Sequence, residues 1–280
     1  MYIYKKIFTM FFFNLNNNNS IPSLGIGTYR NTSYKNLLTV FKEAFDKGIF
    51  LIDTAEMYGN ESEIGKAIKD LKIERDKLFI TSKVWNSQQG YDSTIKSFEN
   101  SLKKLKTDYL DLYLIHWPVS DKFQETWKAL EYLYKKGLAK NIGVSNFHIH
   151  HLKKLFETAE IIPAVNQIEL HPYMHQDEIL NYCNEKEIVI EAWSPIAKGR
   201  VANDNLLIKI GQKYNKTAVQ VSLRWEIQKG IVTIPKSSKP ERIAEFANIF
   251  DFELTKDEMT MVSKLNNNSR IGPNPDNFDF

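Results

Sequence analysis

The sequence holds a single cysteine, Cys183, among 280 residues, which excludes an internal disulfide framework and suits a reducing compartment. An excess of either charge is also missing. The 37 Lys and Arg against 34 Asp and Glu leave a net charge of +3 with no basic block, so nothing electrostatic points to a nucleic-acid partner. Prolines (9) and glycines (12) are too few and too scattered for a collagen-like chain or a flexible linker between domains. No apolar run reaches the ~18 residues that a membrane span requires. Lys5 and Lys6 with the apolar run 7–13 resemble a targeting signal, but Asn14 and the asparagine tract 16–19 follow where a small-residue cleavage site is needed. These absences leave a globular protein expected in the cytoplasm, and a 42% hydrophobic composition supplies a large core.

What is present is an alternation. Short runs rich in Ile, Val, Leu and Tyr fall at 24–27, 49–53, 78–83, 109–116, 140–145, 164–167, 188–193 and 231–234. Between them lie stretches of helical period such as 37–47, 94–105, 124–136 and 218–228, with Gly48, Gly137 and Gly230 placed as C-caps before the next strand. Strands that are apolar along their whole length suit a parallel sheet covered by helices. Eight such units predict an α/β fold, a (β/α)8 barrel forming one domain over residues 1–280. The aromatic segment before the asparagine tract and a second strand from near Ile21 are expected to pair as an N-terminal β-hairpin that plugs one end.

Barrel chemistry is placed at the C-terminal ends of the strands, and there the runs finish in Asp53, Lys83, His116, Ser145, Asn146, Gln167, Trp193, Ser194 and Lys236. A structural barrel gives no reason to collect an acid, an ammonium, an imidazole and two amides around one rim. A buried Lys83 needs a carboxylate to stay charged, which Asp53 would supply. The ammonium would in turn lower the pKa of Tyr58, one loop beyond Asp53, and make it a general acid toward a carbonyl oxygen that His116 polarises. An acid alone reduces nothing, so a cofactor must bring the electron pair. Trp193 offers a flat face to a nicotinamide ring, with Ser145, Asn146 and Gln167 for its carboxamide. The segment Lys236, Ser237, Ser238, Lys239, Pro240, Glu241, Arg242 gathers hydroxyls and cations at a helix start, which suits a phosphate such as the 2′-phosphate of NADP.

Seven motifs in order carry a family resemblance: Leu24-Gly25-Ile26-Gly27-Thr28; Asp53-Thr54-Ala55 with Tyr58-Gly59-Asn60-Glu61; Thr81-Ser82-Lys83-Val84-Trp85; the stretch 108–118 through His116-Trp117-Pro118; Gly143-Val144-Ser145-Asn146-Phe147; Asn166-Gln167-Ile168-Glu169-Leu170-His171-Pro172; and Ile234-Pro235-Lys236-Ser237. From about Ser20 onward the chain resembles the aldo-keto reductases, in particular bacterial members similar to diketogluconate and glyoxal reductases. The resemblance implies NADPH-dependent reduction of aldehydes or ketones by a monomer, with Asp53, Tyr58, Lys83 and His116 catalytic. It places Gly27, Thr28, Ser145, Asn146, Gln167, Trp193, Ser194, Pro195, Ile196, Lys236, Ser237 and Arg242 on the cofactor, and Tyr29, Trp85 and Trp117 along the substrate. Trp193 stands for the commoner tyrosine, Tyr29 for a tryptophan, and Phe246 for an adenine-binding asparagine. Met10 lies near the usual start, so residues 1–9 read either as an extension or as the product of a misplaced start codon.

Other features take plainer readings. Gly25-Ile26-Gly27 lacks a third glycine and an immediate helix, so it is no dinucleotide fingerprint. His148, His150 and His151 begin a helix in which consecutive side chains point apart, and Pro172 breaks the spacing of His171 and His175, so no metal is expected. Cys183, Trp127 and Trp225 read as core. Two rival functions are a cofactor-sensing subunit similar to potassium-channel β-subunits and a metal-dependent barrel hydrolase.

Overall fold

The computed structural model describes residues 10–280, so the reading of residues 1–9 as an extension falls outside the described residues. A hairpin of β1 (Phe12–Asn14) and β2 (Ser20–Pro22) precedes eight strands: β3 (Gly25–Gly27), β4 (Leu51–Asp53), β5 (Phe79–Val84), β6 (Leu112–Ile115), β7 (Ile142–Ser145), β8 (Val165–Glu169), β9 (Val189–Trp193) and β10 (Val232–Thr233). The eight pair in parallel, each with its neighbour in sequence. Parallel bridges from Leu24 to Thr233 and from Gly27 to Lys236 complete the ring between β3 and β10. A side chain at Gly27 would stand 3.0 Å from the Ile234 carbonyl oxygen, which is why this join takes a glycine.

Helices α1 (Tyr34–Asp46), α2 (Glu61–Leu71), α3 (Tyr91–Leu105), α4 (Phe123–Lys135), α5 (Ile149–Phe156), α6 (Asp177–Glu185), α7 (Asn205–Tyr214), α8 (Ala218–Gln228), α9 (Pro240–Ala247) and α10 (Lys256–Ser263) wrap the sheet. The sequence expectation of a (β/α)8 barrel is met. Apolar stripes recur with helical spacing, as in α1, where Leu37, Val40, Phe41, Ala44 and Phe45 face the sheet. Gly48, Gly137 and Gly230 follow their helices with φ of 81°, 72° and 77°, a left-handed conformation that costs glycine little.

The expected hairpin is present and closes the end of the barrel away from the strand C-termini. Leu15 and Ile21 pack into the interior against Leu51, Phe79, Leu112, Leu114, Val165 and Val232. Its asparagines anchor it: Asn17 and Asn19 both donate to the Asn141 Oδ1, at 2.8 and 3.0 Å, and Asn16 donates to the Pro163 carbonyl at 3.0 Å. The barrel therefore has an apolar floor, and its polar groups lie at the other end.

One helix departs from expectation. The stretch 218–228 has helical period, yet α8 is buried on nearly every side, because α7, α9, α10 and the segment 197–203 all pack on it. Trp225 lies in this core, as do Trp127 and Cys183, in keeping with their sequence reading. Glu226 is enclosed with them, and among the described residues neither carboxyl oxygen has a hydrogen-bond partner. Burial lifts its pKa well above the usual carboxylate range, and the nearby Thr233 hydroxyl offsets this only in part. The folded protein keeps this group protonated while the unfolded chain ionises. Its stabilising contribution is thus complete below the ordinary pKa of about 4.5 and is lost as pH rises toward the folded-state value. Glu226→Gln is expected to be more stable than the parent at pH 8 and to lose that advantage at pH 4. Thermal unfolding of both proteins across this range checks it, and parallel Tm curves would refute it.

Candidate active site

Lys83, one residue before the end of β5, and Asp53, at the end of β4, point into the open end of the barrel and are almost fully buried. The Lys83 Nζ donates to both Asp53 oxygens, at 2.8 and 2.7 Å, and to the Thr54 carbonyl at 2.9 Å. The Tyr58 hydroxyl lies 3.4 Å from the same nitrogen. Three ammonium protons thus face four oxygens. Burial opposes the Lys83 charge, but Asp53 and Tyr58 outweigh it and the pKa is raised.

The surroundings hold this geometry. Thr28 donates to the Asp53 carbonyl through its amide at 3.0 Å and its hydroxyl at 2.9 Å. Tyr58 ends a short turn, residues 56–58, that Gly59 terminates with φ 64°. Buried Asn60 braces that turn, accepting from the Thr54 hydroxyl at 2.8 Å and donating to the carbonyls of Thr28 and Asn31, both at 3.0 Å. Thr28 and Asn60 therefore position the acid without touching the ammonium.

One expectation about Tyr58 is corrected. Lys83 does favour the phenolate, but burial has the larger effect, and the pKa is pushed up to about 12. Tyr58 therefore keeps its proton at neutral pH. Burial, and then Lys83, drive the pKa of His116 well below 6.5, so its imidazole is neutral. The ring centroid of His116 stands 5.7 Å from that of Tyr58 and 5.1 Å from that of Trp85. A phenol and an imidazole thus face one space beside Trp85.

The amides of the rim largely satisfy one another. Gln167 donates to Asp53 at 2.8 Å and to Glu191 at 2.6 Å. Burial and the charge of Asp53 raise the Glu191 pKa. The Ser145 hydroxyl donates to the Gln167 carbonyl at 3.0 Å, and Asn146, at φ 65°, donates to the His116 carbonyl and to Ser145. Trp193 is expected as a stacking face, and its indole N–H is fixed on the Asn146 Oδ1 at 2.9 Å.

The remaining predicted residues fall into two groups. Lys236 and Arg242 are exposed and Ser237 is partly exposed around the start of α9, with Gly27 bridged to Lys236. Ser194, Pro195 and Ile196 follow β9 on the same rim, whereas Phe246 is core and presents no polar group. On the other side Tyr29 lies 5.0 Å from Tyr58, ring to ring, and Trp85 and Trp117 meet two residues that the sequence reading missed. Phe280 stacks on Trp85 at 5.7 Å and 4°, and Phe278 lies 5.2 Å from Trp117. The Asn86 amide holds the Phe280 carbonyl at 2.9 Å. Glu169, quoted only as part of a motif, pins this tail: its carboxylate accepts from the amides of Ile271 at 2.6 Å and Gly272 at 2.9 Å. Gly272 must be a glycine, since a Cβ there would come within 2.2 Å of the Trp193 ring. The aromatic ending Phe278-Asp279-Phe280 was the available signal.

The imidazoles also require a correction. His148, His150 and His151 do not point apart; all three face Asp276. His148 stands ahead of the helix in extended backbone, which turns its ring back toward the other two.

A model described as the aldo/keto reductase family matches residues 23–267. An uncharacterized oxidoreductase, YtbE, of Bacillus subtilis is 50% identical, covering 95% of this chain and 96% of its own length. A glyoxal reductase of the same organism is 48% identical over 95% and 96% of the two chains, and the methylglyoxal reductase DkgA of Escherichia coli is 42% identical over 94% and 96%. Among solved structures, a mutant of Gox0644 in complex with NADPH superposes with a TM-score of 0.92 at 38% identity, covering 97% of this chain and all of that one.

The buried pair yields a stability prediction. Asp53→Ala leaves the Lys83 charge without its counter-ion and should cost about 3–5 kcal/mol, whereas adding Lys83→Met should recover most of that loss. Urea unfolding of the single and double variants measures both values. A double variant no more stable than Asp53→Ala would contradict this account.

Proposed function

The chain belongs to the aldo/keto reductase family, and from that premise we propose that it reduces small aldehydes and dicarbonyls of the glyoxal and methylglyoxal kind to alcohols with NADPH. We read it as a cytoplasmic monomer made of one barrel domain. The observation that carries the catalytic assignment is the Lys83 ammonium, bound by both Asp53 oxygens and 3.4 Å from the Tyr58 hydroxyl at the mouth of the barrel.

The residues at the mouth suit the cofactor. Lys236, Ser237 and Arg242 cluster beside the first turn of α9, where cations, a hydroxyl and the positive end of the helix favour a phosphate. Trp193, locked in orientation by Asn146, presents apolar surface to a nicotinamide, and Gln167, whose N–H groups are spent on Asp53 and Glu191, keeps its carbonyl oxygen for the carboxamide. Bound NADPH supplies a hydride to the carbonyl carbon.

The protein's part is to hold the carbonyl and deliver a proton. Neutral His116 donates a hydrogen bond to the carbonyl oxygen and adds no charge to the pocket. Tyr58 gives its proton to that oxygen as the C–O double bond becomes single. Lys83 stabilises the phenolate left behind, and Asp53 keeps Lys83 charged and in place. A pKa near 12 in the resting site means the acid is loaded at every physiological pH, so charge developing on the substrate oxygen must draw the proton out. Trp85, Trp117, Tyr29 and the tail residues Phe278 and Phe280 bound an apolar space above these groups, which favours small, weakly polar carbonyl compounds.

Tyr58→Phe should lower kcat by at least a thousandfold (~4 kcal/mol) while NADPH still quenches the tryptophan fluorescence. Methylglyoxal-dependent NADPH consumption, followed optically beside the fluorescence titration, separates the two effects. Near-normal turnover in this variant would rule out Tyr58 as the acid.

A further inference from the structure

Beside the mouth, four side chains that the reaction does not use come together. His148, which precedes α5, and His150 and His151 of its first turn meet Asp276 of the C-terminal tail, with one ligand-type atom of each within 4.8 Å of the others. The His148 Nδ1 is 2.9 Å from one Asp276 oxygen, and the Nε2 atoms of His150 and His151 are 3.2 and 3.8 Å from the other. A tetrahedral ion with ligands at about 2.0–2.1 Å separates neighbouring donors by roughly 3.3 Å, which the contacts of His148 and His150 with Asp276 already approach, while the remaining separations of up to 4.8 Å must close on the ion.

We propose that the His148 Nδ1, the His150 Nε2 and the Asp276 carboxylate bind one divalent transition-metal ion of the zinc class, tying the tail to α5. His151 has a different part. Its Nδ1 accepts the His148 amide proton at 3.1 Å, so its Nε2 carries the ring hydrogen and faces Asp276 from 3.8 Å, beyond hydrogen-bond reach but on the side from which it approaches the carboxylate once an ion draws the cluster together. Burial favours the neutral form of His148, and ligation through Nδ1 places its proton on Nε2 and takes the place of the N-cap contact that its side chain accepts from the His151 amide. Two cations stand near the cluster: Arg270, which bonds Gln176 and faces Glu169 as well as Asp276, and Lys154, which pairs with Asp121, so each is shared with a carboxylate outside the proposed ligand set. His148 and His150 line an open cavity of about 560 Å³, which gives an ion and its water ligand a route in.

The site would act on the pocket through the chain. Asp276 lies within the turn bridged by Asn274 and Asn277, just ahead of Phe278 and Phe280, the rings that cover Trp117 and Trp85. An ion that holds Asp276 therefore steadies the aromatic wall. This consequence rests on the proposed function, whereas the binding itself does not.

The test uses the full chain, stripped with chelator and titrated with Co²⁺ and then Zn²⁺. The expected result is one Co²⁺ per chain with the intense visible absorption of tetrahedral coordination, displaced by Zn²⁺, and slower amide hydrogen exchange across residues 274–280 when metal is bound. His150 is 65% exposed, so His150→Ala should keep the parent Tm and the metal-free activity while weakening binding at least about tenfold, as should Asp276→Asn. Absence of a saturable Co²⁺ spectrum overturns the proposal. So does binding that either substitution leaves unchanged, or tail exchange indifferent to the metal. Failure of Tyr58→Phe to stop turnover would leave the Co²⁺ titration untouched, so the two readings fail separately.

Discussion

A charged lysine buried at the mouth of the barrel is tolerable only because Asp53 meets it with both oxygens, and most of the surrounding architecture serves that pairing. Strand β4 must end at Asp53 and β5 must carry Lys83 beside it, which fixes the parallel register of the two strands. Thr28 fixes the Asp53 backbone from β3, Gln167 its side chain from β8, and Asn60 the turn that brings Tyr58 within reach. Strand positions far apart in sequence thus converge on one ammonium. A flexible assembly would let water or a wandering side chain relieve the charge, and a closed sheet with an apolar floor does not.

The same logic explains why the rim amides are bonded to one another. Gln167, Ser145, Asn146, Trp193 and the His116 carbonyl form a connected set whose members fix one another's orientation. A network so ordered loses little entropy when a planar ring is laid against it. The tail adds a second restraint, because Glu169 clamps the amides of Ile271 and Gly272 and so sets the far end of the Trp193 ring. Glu169 sits among two amides and His171 and has a lowered pKa despite its burial, so the clamp stays charged.

The barrel was legible in the chain because buried parallel strands leave continuous apolar runs and the helices between them leave a period that neither loops nor alternating strands share. Asp53, Lys83, His116 and Gln167 were legible for a related reason: each interrupts or ends such a run, where a polar side chain is costly unless it works. Three things were hidden. The net effect on Tyr58 required weighing burial against Lys83, two opposed influences whose sizes depend on depth. The convergence of His148, His150 and His151 depended on the extended backbone at His148 and on Asp276, more than a hundred residues away. The tail's place over Trp85 and Trp117 was unreadable because contacts made by irregular chain leave no period, and only the density of phenylalanine hinted at it.

The junction of β3 and β10 has a further meaning. This seam of the cylinder is made only of isolated bridges around a two-residue strand, and it passes through Gly27 and Lys236. One lip leads directly to Thr28 and the aspartate it grips, and the other to the basic segment ahead of α9. On the proposed function, a dinucleotide held at the second lip and reaching toward the first would work as a stitch across that seam. Occupancy would then reinforce a sparsely paired part of the wall, leaving the enzyme sturdier when charged with coenzyme and more prone to local opening when stripped of it.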